Sequence, residues 1–188
     1  CAFANRQAIS HLARGSFARV MRISPDEIKL LYDVGHNTCK VEEHEINGVM
    51  KKLVVHRKGA TPAFAGVCAG VPRAYMSVGH PLLIGGTMGT ASYILRGTEK
   101  GMKECFGSTV HGAGRSTSRV QAKRQWRGTE IIRELEAKGI IIRSGSKSGV
   151  AEEAPGAYKD VDRVVDIMHN AGINRKVART RPIACVKG

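Results

Sequence analysis

The sequence predicts a mixed α/β fold of the α+β kind, with mixed β-sheets flanked by helices, and three observations predict it. Some segments carry apolar residues at helical spacing, as Val161, Val164, Val165 and Met168 do. Others are short apolar or β-branched runs bounded by glycine turns, which read as strands. The two kinds follow one another without a regular βαβ rhythm, and no internal repeat or low-complexity stretch interrupts them. With 188 residues, 42% of them hydrophobic, the chain is long enough for one domain with its own core.

The elements follow in order. Ala8, Ile9, Leu12, Phe17 and Val20 recur at near-helical spacing through CAFANRQAISHLARGSFARVM, which predicts an opening helix. The chain begins with Cys1 inside that pattern, so we expect sequence upstream of it. KVEEHEINGVMKKLVVHRK holds two strand-like runs around Asn47-Gly48, the dipeptide that best supplies positive φ at both corners of a two-residue turn, and so predicts a hairpin. Residues 59–80 carry Gly, Pro and Ala without periodicity and read as an extended loop packed on a core. PLLIGGTMGTASYILRG gives two short buried strands around a glycine-rich bend. TEKGMKECF reads as a short helix and STSRVQAKRQW as another, with Ser116, Thr117 or Ser118 as its N-cap. Residues 129–138 form a helix stopped by Gly139, IIIRS a strand, DVDRVVDIMHNAG a helix ending near Gly172, and RPIACVKG a closing strand.

Lys and Arg number 30 against 16 Asp and Glu, a formal net charge of +14, so the natural partner is a polyanion: nucleic acid first, an anionic membrane surface second. The five cysteines are odd in number, widely spaced and free of any CxxC pair, which argues for a reducing, intracellular setting, cytoplasm or nucleus. No apolar run approaches the roughly 18 residues needed to span a bilayer.

The stretch FGSTVHGAGR sets His111 among residues of almost no bulk, directly before a hydroxyl-capped helix. Backbone N–H groups there can approach a ligand closely, and a small-residue loop leading into a helix start can cradle phosphate. A neutral imidazole beside phosphorus could attack it, act as general acid or base, or bind metal. Spacing alone leaves these open, beside a histidine simply held by backbone hydrogen bonds in a turn.

Arg115, Arg119, Lys123 and Arg127 recur every four residues, so on one helix they would form a basic stripe for RNA backbone, with Trp126 beside it as a base-stacking platform. Four such contacts to single-stranded RNA would give a slope of log affinity against log salt near −3, at about 0.7 per contact. In DVGHNTCKVEEH, Glu42 and His44 share one strand face and Glu43 the other, while His36 precedes the strand in a Gly-Asn context open to a metal. HRKGAT places Lys58 between a strand end and a glycine turn. IGGTMGTAS matches neither the Rossmann nor the Walker A pattern, which disfavours an ordinary nucleotide fold.

Taken together and in this order, DVGHNTCKVEEH, HRKGAT, LIGGTMGTASY, FGSTVHGAGR, EEAPGAYKDV and RPIACVKG resemble the C-terminal portion of the RtcB-type RNA ligases, the tRNA-splicing ligases. The resemblance runs from ANRQ to the last residue, and the LIGGTMGT and RPIA spellings resemble eukaryotic members more than bacterial ones. It implies that residues 1–188 are the C-terminal portion of a larger single catalytic domain with the RtcB-like fold.

The implied activity is GTP- and Mn²⁺-dependent joining of RNA 3′-phosphate or 2′,3′-cyclic phosphate ends to 5′-hydroxyl ends, in tRNA splicing or RNA repair, with tRNA exon halves as the RNA. By the same resemblance His111 is the histidine that becomes guanylylated. His36 resembles a manganese ligand, Asn37 a neighbour of the nucleotide, and Lys58 an active-site lysine. Gly85, Gly86, Thr87, Met88 and Ser92 correspond to the loop along the nucleotide, Gly85 and Thr87 standing where many archaeal members have proline and serine. Gly112, Ala113 and Gly114 would hold phosphate oxygens through their backbone, and Tyr158 and Lys187 frame and read the guanine. The family uses two manganese ions, and its other metal ligands, an aspartate, a cysteine and two histidines, lie in an N-terminal region that this chain does not contain. Cys1 is no substitute for that cysteine. The expectation is therefore a fragment that does not complete ligation alone. An activating protein and a helicase are partners to be sought.

Two other readings remain at this point. One is a noncatalytic basic RNA-binding module in which His111 is structural. The other is a metal-dependent phosphohydrolase built on His36, His44 and His111.

Overall fold

The computed structural model describes residues 2–68 and 70–187. Cys1 lies outside them, and so does the expectation drawn from it. The chain runs through α1 (Ala2–Met21), a hairpin of β1 (Asn37–Ile46) and β2 (Val49–Lys58), β3 (Ala60–Pro62), β4 (Pro81–Ile84), β5 (Ser92–Gly97), α2 (Glu99–Cys105) and β6 (Ser108–Val110). There follow α3 (Arg119–Gln125), α4 (Gly128–Ala137), β7 (Ile141–Ser144), α5 (Lys147–Glu152), α6 (Val161–Asn170), β8 (Asn174–Thr180) and β9 (Ala184–Lys187). Among the described residues four small sheets result: β1–β2, β3–β6, β4–β5–β8 and the parallel pair β7–β9. The mixed α/β class holds, with small sheets flanked by helices.

Local signals explain most boundaries. Asn47 and Gly48 take φ of 52° and 79°, and Ile46 pairs with Val49, the two-residue turn the dipeptide predicts. Of the three candidate caps, Ser118 caps α3 and closes a reciprocal box with Gln121. Gly139 and Gly172, with φ of 77° and 76°, end α4 and α6.

Four elements escaped the sequence, among them α5, whose KSGVAE carries no helical apolar spacing. β3 and β6 are three residues each and exist because they pair with each other across 46 or more residues, Ala60 with Val110 and Pro62 with Ser108. β8 reads NRKVART, too polar to announce a strand, and is held as the outer strand against β5. The opening helix forms where predicted, but its apolar residues are not core: Phe3, Ile9, Leu12, Phe17 and Val20 are exposed, and Ala18 alone is buried among the helix's described residues. Arg6 fixes this helix instead, donating to both oxygens of Asp33 at 2.7 and 3.1 Å.

Two hydrophobic clusters organise the interior. In the first, Val161 and Val165 of α6 pack on Leu82, Ile84, Tyr93 and Leu95 of the three-stranded sheet, with Ala113 among them. In the second, Ile131 and Leu135 of α4 meet Ile142 of β7, Val150 of α5 and Met88. Asp162 pins α6 to the sheet by accepting from Tyr93 Oη at 2.6 Å and from Arg179 at 2.9 Å. The segment joining β4 to β5 crosses from one cluster to the other, so the bend at residues 85–91 lies on their seam.

His80 gives this core a pH response. Its ring is 4% exposed, lies against Tyr32 and Phe64 at 4.7 and 5.6 Å, and burial, with Lys40 and Arg57, lowers its pKa to about 4. The unfolded chain takes up this proton near pH 6.5 and the folded chain does not until about pH 4. The His80 contribution is therefore complete above pH 6.5 and is lost as pH falls through that window, by about 3 kcal/mol. Urea unfolding at pH 7 and pH 4.5 should show a fall in stability that His80→Phe largely removes; equal falls in both proteins would refute the assignment.

Candidate functional site

The hairpin base and the His111 loop meet. Asn37 and Lys58 are register partners at the open end of β1–β2, with His36 just before the strand. Gly59 follows Lys58 with φ of 65°, a conformation natural to glycine, and its N–H lies 3.0 Å from the His36 carbonyl and 3.2 Å from Asn37 Oδ1. A side chain at Gly59 would begin 3.4 Å from the His111 ring. With nothing there, His36 and His111 stack face to face, centroids 4.7 Å apart and planes 14° apart. Burial, with His36 second, holds the His111 pKa below the ordinary imidazole value, which favours the neutral ring with one nitrogen lone pair. The imidazole is nevertheless exposed.

The loop after His111 is fastened on both sides. Gly112 bridges Gly85, and the Ala113 N–H donates to the Gly85 carbonyl at 3.0 Å. That bond corrects one expectation: the Ala113 amide is already used within the protein, and its side chain is buried in the first cluster. On the other side Lys159 N–H donates to Gly114 and Ser116 N–H to Ala157, both at 2.9 Å, and Arg115 bridges Tyr158. The glycine bend and the Tyr158 segment are therefore sewn to the histidine loop by backbone bonds.

Beside them is a cavity of about 220 Å³ lined by Gly86, Thr87, Met88, Glu153, Tyr158, Cys185, Val186 and Lys187. It is smaller than the roughly 300–1,000 Å³ of drug-sized pockets, the scale of a planar base and not of a whole nucleotide. Five residues singled out from sequence, Gly86, Thr87, Met88, Tyr158 and Lys187, thus line one cavity although they span about a hundred positions. Met88 contributes mainly its backbone, because its side chain is 3% exposed in the second cluster. Ser92 braces the bend, its hydroxyl lying 3.5 Å from the Gly86 N–H. Sequence reading gave no role to Glu153 or Gly59, although both sit inside the quoted motifs EEAPGAYKDV and HRKGAT.

The basic stripe does not survive as one helix face. Only Arg119 and Lys123 lie on α3, while Arg115 precedes it and Arg127 is the N-cap of α4. The helix ends at Gln125 because Trp126 turns to extended backbone and packs against the second cluster, its indole filling the space above Gly156. Trp126 is thus a packing residue and not an open stacking platform. Arg115 is drawn inward, donating to the Thr117 and Glu152 carbonyls and to Tyr158 Oη. Arg119 and Lys123 both pair with Glu152, at 2.8 and 2.7 Å.

His44 is likewise elsewhere. Eight positions beyond His36, along strand that rises about 3.3 Å per residue, it is 4% exposed, bonded to Glu42 at 3.0 Å and lines a separate cavity of about 510 Å³ beneath the hairpin. Among the described residues no group of three or more His, Cys, Asp or Glu side chains could hold a metal ion. His36 and His111 alone do not complete a manganese site, so the residues of this chain do not by themselves fit the two-ion centre. The phosphohydrolase trio is not assembled either. Cys39, Cys105 and Cys185 are unpaired thiols, and no described helix is long and apolar enough to cross a membrane.

Comparison with known proteins agrees with the ordered motifs. A family model described as tRNA-splicing ligase RtcB matches residues 1–188. Curated relatives, each named tRNA-splicing ligase RtcB, match over the whole chain: 55% identity in Pyrococcus abyssi, covering 21% of that protein, 54% in Thermococcus kodakarensis, covering 39%, and 49% in Methanococcus maripaludis, also covering 39%. The chain thus spans between about a fifth and two fifths of these relatives' length and corresponds to the C-terminal part of the longer ones. It belongs to the tRNA-splicing ligase RtcB family.

Proposed function

We propose that this chain carries the nucleotide-transferring part of a GTP-dependent RNA ligase acting on tRNA halves or broken RNA. The observation that carries the reading is the exposed His111 imidazole stacked on His36 at the seam that also holds the base-sized cavity. A nitrogen of His111 attacks the α-phosphorus of GTP, the bond to the β-phosphate oxygen breaks, and pyrophosphate leaves as the histidine–GMP phosphoramidate forms. A 3′-phosphate oxygen of RNA next attacks that phosphorus, the N–P bond breaks, and GMP becomes joined to the RNA end by an anhydride. The 5′-hydroxyl of the second RNA loses its proton and attacks the 3′-phosphorus, GMP departs, and a 3′,5′-phosphodiester remains. A 2′,3′-cyclic end is first opened by water to the 3′-phosphate.

In this reading Tyr158 and Lys187 bound the guanine, and Lys187 supplies an ammonium donor to an acceptor on its edge. Thr87, Gly86 and Ser92 shape the bend along the nucleotide, Gly112 and Gly114 line the phosphates, and Lys58 and Asn37 approach from the hairpin base. His36 would be this chain's contribution to manganese binding, the remaining ligands coming from the part of the longer relatives that this chain does not cover.

The test uses GTP labelled at the α-phosphate. Residues 1–188, alone and joined to the remainder of the Thermococcus kodakarensis relative, are incubated with labelled GTP and Mn²⁺. Acid-labile, alkali-stable label on the joined protein supports the reading. An unlabelled joined protein that still binds RNA would make the noncatalytic RNA-binding module the better account.

RNA binding has its own signature. Exposed ion pairs such as those of Glu152 are worth only about 0–1 kcal/mol, so an RNA phosphate can displace the carboxylate from Arg119 and Lys123. The Arg119→Ala/Lys123→Ala double variant should flatten the slope of log affinity against log salt by about 1.4, two contacts at about 0.7 each, and not by the value near 3 that a four-residue stripe would give. An unchanged slope in filter-binding titrations would remove α3 from the RNA path.

A further inference from the structure

We infer that Glu153 is a positioning residue of the nucleotide site, holding Lys187 and Tyr158 against the base cavity and coupling both to the loop that carries His111. The inference rests on the GTP reading and deepens it.

Glu153 stands where four elements converge. Its Oε2 accepts from the Tyr158 hydroxyl and lies 3.5 Å from Lys187 Nζ, while its Oε1 lies 3.3 Å from an Arg115 guanidinium nitrogen. The same Arg115 nitrogen donates to Tyr158 Oη at 2.9 Å, and its guanidinium carbon sits 4.8 Å from the Tyr158 ring centroid. One carboxylate thus serves two cations and a phenol, and all three of its partners belong to the cavity wall or to the segment four residues after His111. Burial pushes the Tyr158 phenol up, and Glu153 adds to that, so the ring stays a neutral donor.

The charge on Glu153 is what the arrangement needs. Lys187 ends β9 on a flexible four-carbon stem, and fixing such a side chain costs rotamer entropy. A carboxylate held by Arg115 and Tyr158 meets that cost before any nucleotide arrives, which is preorganisation. It also separates the Lys187 and Arg115 charges. An ammonium fixed in this way favours a purine that presents an acceptor on its six-position, as guanine does, over adenine, which presents an amino donor there. The backbone bonds from Lys159 to Gly114 and from Ser116 to Ala157 run parallel to the side-chain network, so Tyr158 and His111 keep their relation even when the carboxylate is neutralised.

Glu153→Gln keeps the size and an acceptor for Tyr158 while removing the charge. In the joined protein, the expected result is a rise of about tenfold in KM for GTP in the labelling reaction and a similar loss of preference for GTP over ATP, with kcat within about twofold of wild type. Glu153→Asp should recover part of the KM. In the Lys187→Gln background, Glu153→Gln should add little, because the partner it positions is already gone. Wild-type KM and GTP preference in Glu153→Gln would overturn the inference while leaving the ligase reading intact. A wild-type joined protein that GTP does not label would overturn the ligase reading and this inference with it.

Discussion

On the proposed reading, His111→Ala in the joined protein is expected to abolish covalent labelling by GTP and to lower ligation by at least about 10⁴-fold, without unfolding the protein. On that reading the chemistry leaves no partial outcome: an alanine has no lone pair to form the N–P bond, and losing the covalent nucleophile would remove the whole path. The fold should barely respond, because His111 is exposed and its recorded side-chain contacts are the stack on His36 and the neighbouring Gly59. Surface substitutions of this kind change stability by about 0.5 kcal/mol or less. Urea unfolding and labelling on the same preparation separate the two effects. The variant also distinguishes His111 from Lys58, whose amine would form a phosphoramidate of similar acid lability. Label that persists in His111→Ala and disappears in Lys58→Ala would transfer the nucleophile to the hairpin.

The second large effect concerns stability. Arg57 is 2% exposed and donates to both oxygens of Glu42 at 2.6 and 2.9 Å, to Ser108 Oγ at 2.9 Å and to the Phe106 carbonyl at 2.8 Å. Burial raises the Glu42 pKa, but the bonds from Arg57 and His44 outweigh it and keep the carboxyl below its ordinary value. Arg57→Leu should therefore cost about 3–5 kcal/mol, the cost of leaving one partner of a buried pair behind. Arg57→Lys should recover little, since an ammonium cannot match a forked carboxylate and two further acceptors at once. The double variant Arg57→Leu/Glu42→Leu should be more stable than Arg57→Leu in urea unfolding, because no orphaned charge remains. A loss below about 1 kcal/mol in Arg57→Leu would mean that water reaches Glu42. This pair also matters to the site, for it fastens the hairpin bearing His36 and Lys58 to the segment that leads through β6 to His111.

Some of the site was legible in sequence and some was not, according to whether a residue's role depends on its neighbours in the chain. His111, Gly86, Tyr158 and Lys187 stand in short motifs whose order along the chain resembles one family, and local composition already singled out the glycine loop. Glu153 and Gly59 sit in two of the same motifs, but nothing local marked them out, since one is a glutamate among sixteen acidic residues and the other a glycine among 22. Their roles arise from what surrounds them: three partners drawn from separate segments for Glu153, and an imidazole 3.4 Å from an absent side chain for Gly59. The basic stripe failed for the converse reason. A four-residue spacing presumes an unbroken helix, and half-buried Trp126, turned to extended backbone against the second cluster, ends that helix after seven residues.

By itself the sequence determined the hairpin at Asn47-Gly48, the glycine ends of α4 and α6, the polyanion-seeking charge and the family, because each depends on neighbouring residues or on motif order. Only the tertiary structure decided that His36 stacks on His111, that His44 is withdrawn into a buried hydrogen bond with Glu42, and that β3 finds β6. Those outcomes are set by contacts between residues tens of positions apart, whose free energy depends on burial and mutual geometry and so leaves no periodic trace along the chain.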